Sequence, residues 1–133
     1  MGQSGTRREC CPIAEREMIH HMKLRPTPFE MIKSGKKTFE LRLYDDKRQK
    51  IKLGDEIIFT NTINGEMLSR IVKGIHIFES FHELYKSLPL LKCGYTVDNV
   101  DSASTLDMEK YYSIYEQKSF GVVGIELCSD NGQ

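Results

Sequence analysis

From Met18 to Leu24 the chain alternates: Met18, His20, Met22 and Leu24 occupy one set of positions, Ile19, His21 and Lys23 the other, which predicts a short strand. Pro26 and Pro28 end it. Thr27 followed by Pro28 at the first helical position predicts a short helix over 28–34, carrying Phe29 and Ile32 and closed by Gly35. Period two returns from Thr38 to Leu43, with Phe39, Leu41 and Leu43 on one face and Thr38, Glu40 and Arg42 on the other. Residues 45–52 read as a charged turn with Ile51 as its one apolar anchor. Leu53-Gly54-Asp55 turns into a buried strand over Glu56–Thr60, and Asn64-Gly65 is a hairpin signal leading to a long, bulged strand over Met67–Phe78. Ser80 caps a helix holding Phe81, Leu84, Tyr85 and Leu88, which Pro89 stops. Residues 92–105 read as loop. Leu106–Gln117 reads as one helix with Leu106, Tyr111, Ile114 and Tyr115 near one stripe, and Gly121–Cys128 closes as a strand whose two glycines signal bulges or close packing. Several strands, one hairpin and a few short helices describe an α+β fold: a small, strongly curved mixed β-barrel with short flanking helices.

Composition narrows the class. The 133 residues suffice for one domain, placed at 18–128 between a polar leader at 1–17 and a short tail at 129–133. No apolar run approaches the roughly 18–20 residues of a membrane span, and no apolar leader suggests secretion. Met1–Thr6 fits a myristoylation pattern, but nothing in it demands a lipid, and a plain polar leader is the expected reading. Cys10, Cys11, Cys93 and Cys128 lack the spacing of a zinc site or a disulfide framework, so reduced thiols in a cytoplasmic protein are expected. No metal or cofactor is implied. Nineteen basic residues balance nineteen acidic ones, yet residues 23–52 alone hold 10 Lys/Arg against 4 Asp/Glu. That local excess suits a polyanionic partner.

The chemistry concentrates in the same segment. Gly35-Lys36-Lys37-Thr38-Phe39-Glu40-Leu41-Arg42 places Glu40 and Arg42 on the polar face of a strand, with Lys37 leaning toward it from the turn. On a half-exposed strand these would be solvated charges worth well under about 1 kcal/mol.

The pattern Gly35-x-Lys37-x-x-Glu40-x-Arg42 resembles the motif of the ASCH domain family, within the PUA-like superfamily of small RNA-associated barrels. Leu53-Gly54-Asp55-Glu56-Ile57 and Phe120-Gly121-Val122-Val123-Gly124-Ile125 resemble the family's later turn and last strand, so the likeness covers roughly 18–128. It implies a PUA-like barrel whose cleft holds RNA or a nucleotide-like ligand on Lys37, Glu40 and Arg42. Around that cleft Arg25 and Lys36, with Lys23, Lys33, Lys47, Arg48, Lys50 and Lys52, would supply a basic surround; Tyr44, Tyr111 and Tyr112 are stacking candidates. One branch the domain resembles hydrolyses the acetyl group of N4-acetylcytidine with a motif lysine and threonine. Here Lys37 matches the lysine, but Glu40 stands at the threonine position. An amidohydrolase would then use Lys37 and Glu40 as its catalytic pair, with an acid such as Asp98 or Asp101. Binding is the preferred expectation, hydrolysis of an acylated nucleoside the alternative, and a protein-interaction module the third. The oligomeric state is not legible.

Overall fold

The computed structural model describes residues 18–128; the expected leader, tail and acylation pattern lie outside them. Five strands form one mixed sheet in the order β1-β3-β4-β5-β2, curled into a half-barrel with short helices around it. They are β1 (Ile19–Leu24), β2 (Phe39–Leu43), β3 (Glu56–Asn61), β4 (Met67–Phe78) and β5 (Val122–Leu127). The helices are α1 (Pro26–Lys33), α2 (Asp46–Gln49), α3 (Phe81–Ser87), α4 (Leu106–Glu109) and α5 (Ile114–Phe120). The α+β barrel expectation holds.

β1 buries His20, Met22 and Leu24 and exposes Ile19, His21 and Lys23, as its alternation predicts. It pairs parallel to β3, while the β3–β4, β4–β5 and β5–β2 pairs are antiparallel. The Asn64-Gly65 hairpin is present: Asn61 N donates to Glu66 O at 2.8 Å, and Gly65 adopts φ +77°. β4 carries the expected bulge, between Val72 and Gly74.

Four expectations are corrected. α1 starts two residues early, because Pro26 takes the first helical position and Arg25 the cap. The charged turn folds into α2, since Asp45 accepts the Arg48 N–H at 3.1 Å and caps it. The helix expected over Leu106–Gln117 is two, because Ser113 and Glu116 form a capping box that restarts the chain as α5. Its supposed apolar stripe is exposed, and Met108 and Tyr112 pack inward instead. Cys93 is a free thiol, but Cys128 is disulfide-bonded, so the expectation of reduced thiols fails there.

Two apolar clusters lie on opposite sides of the β5–β2 wall. Phe29 and Ile32 of α1 pack with Met22, Leu24, Ile57, Phe59, Val123 and Ile125 in one. Phe39, Leu41 and Leu43 of β2 pack with Phe81, Leu84 and Val122 in the other. β5 is therefore buried on both faces, and β2 nearly so. Glu40 and Arg42 face inward from that wall, toward β1.

Candidate functional site

β1 and β2 are the two edge strands, and no ladder joins them. Arg42 reaches across the seam: its Nη2 donates to the Lys23 carbonyl of β1 at 3.1 Å. Its Nε donates to Glu40 Oε2 at 2.7 Å. Lys37 Nζ lies 2.8 Å from Glu40 Oε1. The motif residues thus converge as a cation–carboxylate–cation triplet with Glu40 in the middle. The positions of the flanking residues follow from the chain: α1 ends at Lys33, Gly35 takes φ +86°, and Lys37 N donates to Met31 O at 2.9 Å. Thr38 N then donates to Lys92 O at 2.8 Å, pinning the 3₁₀ turn Leu90–Lys92 beside the start of β2.

Glu40 is only 3% exposed. Burial pushes its carboxyl up, but Lys37 and then Arg42 outweigh that and hold it below the usual carboxylate value. For Arg42 burial acts the other way, yet Glu40 and the Tyr112 hydroxyl keep the guanidinium's affinity for its proton above normal. Burial pushes the Tyr112 hydroxyl up, with Arg42 opposing. The Cys93 thiol is pushed up to about 12 by burial, with Lys37 partly offsetting it. At neutral pH the thiol is protonated and the carboxyl ionised.

A pocket of about 280 Å³ opens over the triplet. Lys23 and Arg25 stand on its β1 side, Leu24, Pro28 and Leu41 give apolar wall, and Cys93, Met108, Tyr111 and Tyr112 come from the long excursion between α3 and α5. That excursion is held down by the stacked Phe81 and Tyr112 rings, 5.8 Å apart, and by a hydrogen-bond chain. In the chain Tyr85 and Tyr95 share a hydroxyl contact at 2.8 Å, and Tyr95 donates to Asp107 Oδ2 at 2.5 Å.

Of the residues singled out from sequence, Lys37, Glu40, Arg42, Arg25 and Tyr111 meet at this pocket. Lys36 lines a separate shallow groove with Glu30 and Ser34, and Tyr44 packs against the first apolar cluster. Asp98 and Asp101 are exposed, the latter in the 3₁₀ turn Val100–Ser102, and neither lines the pocket. His20 is taken up by Asp55 at 2.8 Å. Cys93 had no local signal, and Met108 reads from sequence as core filling. Among the described residues no group of three His, Cys, Asp or Glu could hold a metal, and no helix is long and apolar enough to cross a membrane.

The family model for the ASCH domain matches residues 22–129 of this chain. The crystal structure of hypothetical protein PH0355 is similar at 36% identity and a TM-score of 0.72, spanning 83% of this chain and 97% of that one. The solution NMR structure of protein PF0455 from Pyrococcus furiosus is similar at 34% identity and a TM-score of 0.63, spanning 83% and 96%. No curated protein matches.

Proposed function

The chain belongs to the ASCH domain family, and from that premise we propose that it binds a nucleotide unit of RNA, or a modified nucleoside, in the pocket over Lys37, Glu40 and Arg42. The carrying observation is the pocket's make-up: two cations fixed by a buried carboxylate, beneath walls of Tyr111, Tyr112 and Met108. Such a site offers a base apolar and aromatic faces to lie against, with directional donors from Lys37 and Arg42 at its edge. Its volume lies near the lower end of small-ligand pockets, roughly 300 Å³, which suits a single nucleoside unit better than a helix.

Glu40 acts in this reading as a positioning residue. Both its oxygens face cations and it is almost wholly buried, so it fixes the two donors instead of meeting the ligand itself. The same arrangement speaks against the hydrolytic alternative, because a carboxylate held ionised by two cations is a weak proton acceptor. The test is an NMR titration with the four ribonucleosides and N4-acetylcytidine. Shifts centred on Lys37, Arg42 and Tyr112 are expected, with Arg42→Ala weakening binding at least about tenfold. Shifts elsewhere, or none, would sink the reading, and steady release of acetate would replace binding with hydrolysis.

A further inference from the structure

The cations around the pocket are of two kinds. Lys37 and Arg42 are committed: each meets Glu40 within 2.8 Å, and Arg42 also donates to Lys23 O. Lys23 and Arg25 are different. Both are exposed on the β1 side of the mouth, and neither is paired with any acidic group among the described residues. The interior therefore holds two positive charges compensated by one negative charge, whereas the mouth holds two uncompensated ones. A dianion pushed inward would approach the ionised Glu40 and have to compete with it for its own partners. At the mouth the same dianion would meet two free, hydrated cations, and the pocket lining holds no carboxylate other than Glu40, which is buried between Lys37 and Arg42.

The end of α1 adds nothing that could substitute. Its first turn begins Pro26-Thr27-Pro28, so two of the three leading positions have no N–H to offer an anion. Side chains must take the charge. Lys23 lies near the end of β1 and Arg25 caps α1 just beyond it, and both line the same pocket.

We infer that Lys23 and Arg25 form a phosphate subsite at the pocket mouth, so that the ligand is a phosphorylated nucleotide with its base inside and its phosphate outside. This rests on the reading of the pocket proposed above, and it specifies the ligand further: a nucleotide or an RNA chain leaving by the mouth, in preference to a free nucleoside.

The experiment compares each ribonucleoside with its 5′- and 3′-monophosphates by calorimetry at low salt, on the full chain and on a Lys23→Ser/Arg25→Ser double variant. One of the monophosphates should bind roughly tenfold tighter than its nucleoside, the gain of a charge-assisted contact. In the double variant that ratio should fall to about one; both sites are exposed, and an unchanged thermal midpoint certifies the fold. Equal binding of nucleoside and nucleotide by the native chain overturns the subsite and leaves the pocket reading standing. A tenfold ratio that survives the double substitution also overturns it, by placing the phosphate elsewhere. If neither nucleosides nor nucleotides bind, the pocket reading falls and the subsite with it.

Discussion

Glu40 is the residue on which the site depends. A carboxylate this deeply buried is costly alone, and it persists because an ammonium and a guanidinium meet it on either side. Glu40→Gln should leave two poorly solvated cations without a counter-charge and lower stability by ~3 kcal/mol, read from urea unfolding at pH 7. The sign with pH follows from the lowered carboxyl value. The unfolded chain holds Glu40 near 4.5 and the folded chain below it, so the full contribution is present above the unfolded value and is lost as pH falls through the folded one. The native protein should therefore lose stability progressively below about pH 4.5, and Glu40→Gln should flatten that part of the curve. Cys93 offers a second check at this scale. With its thiol pushed up to about 12 and its surface buried, it should resist alkylation at pH 7.5 in the folded protein and react on unfolding, as followed by mass spectrometry of its peptide. The alternation of residues 38–43 was enough to put Glu40 and Arg42 on one face. It could not report that the face is covered, because the second cover comes from β1 and the excursion after α3.

At the scale of elements, β5 makes the tightest demands. Gly124 lies under α3 so closely that an added Cβ would sit 2.5 Å from Leu88 Cδ1, which bears out close packing as the reason for a glycine in this strand. Gly121 joins α5 to β5 at φ +74° and ψ −176°, a conformation that side chains avoid, and its Cβ would lie 3.1 Å from the Phe78 carbonyl. Gly121→Ala should cost about 2 kcal/mol, measurable as a lowered unfolding midpoint, and should exceed the effect of Gly124→Ala, where only a mobile Leu88 methyl must give way. Of the helices with side-chain caps, α2 reads from sequence as a turn despite its Asp45 cap, whereas α3 was legible, with Ser80 where the sequence puts it. The break between α4 and α5 was less so. Leu106, Tyr111, Ile114 and Tyr115 fit a continuous helical stripe, but the capping box at Ser113 and Glu116 competes locally and wins.

For the whole molecule the decisive feature is the open seam between β1 and β2. Glu56 N donates to Met18 O and Thr62 N to Leu24 O, so the even-numbered residues of β1 turn their main chain to β3. Ile19, His21 and Lys23 turn theirs to the seam, consistent with Lys23 O accepting from Arg42. Amide exchange should alternate along β1, slow at Met22 and Leu24 and faster at His21 and Lys23; uniform protection would mean that the seam is closed by a ladder. The local charge excess takes on meaning only here. Of the basic residues in 23–52, Lys23, Arg25, Lys37 and Arg42 reach the pocket, while Lys33 pairs with Glu66 at 2.6 Å and Arg48 with Asp45 at 3.1 Å.

By itself the sequence determined the strands, the hairpin, the bulge, the Ser80-capped helix and the shared face of Glu40 and Arg42, because each depends on contacts within a few residues of chain. Only the tertiary structure decided that Lys37, Glu40 and Arg42 are buried together, that Arg42 spans to Lys23, and that Cys93, Met108 and Tyr112 wall the same pocket. Those facts depend on which strands become edges and on how an excursion with little periodic structure folds back over them. Burial converts a weak surface pair into a fixed set of donors, and burial is a property of the assembled sheet, not of the strand that carries the motif.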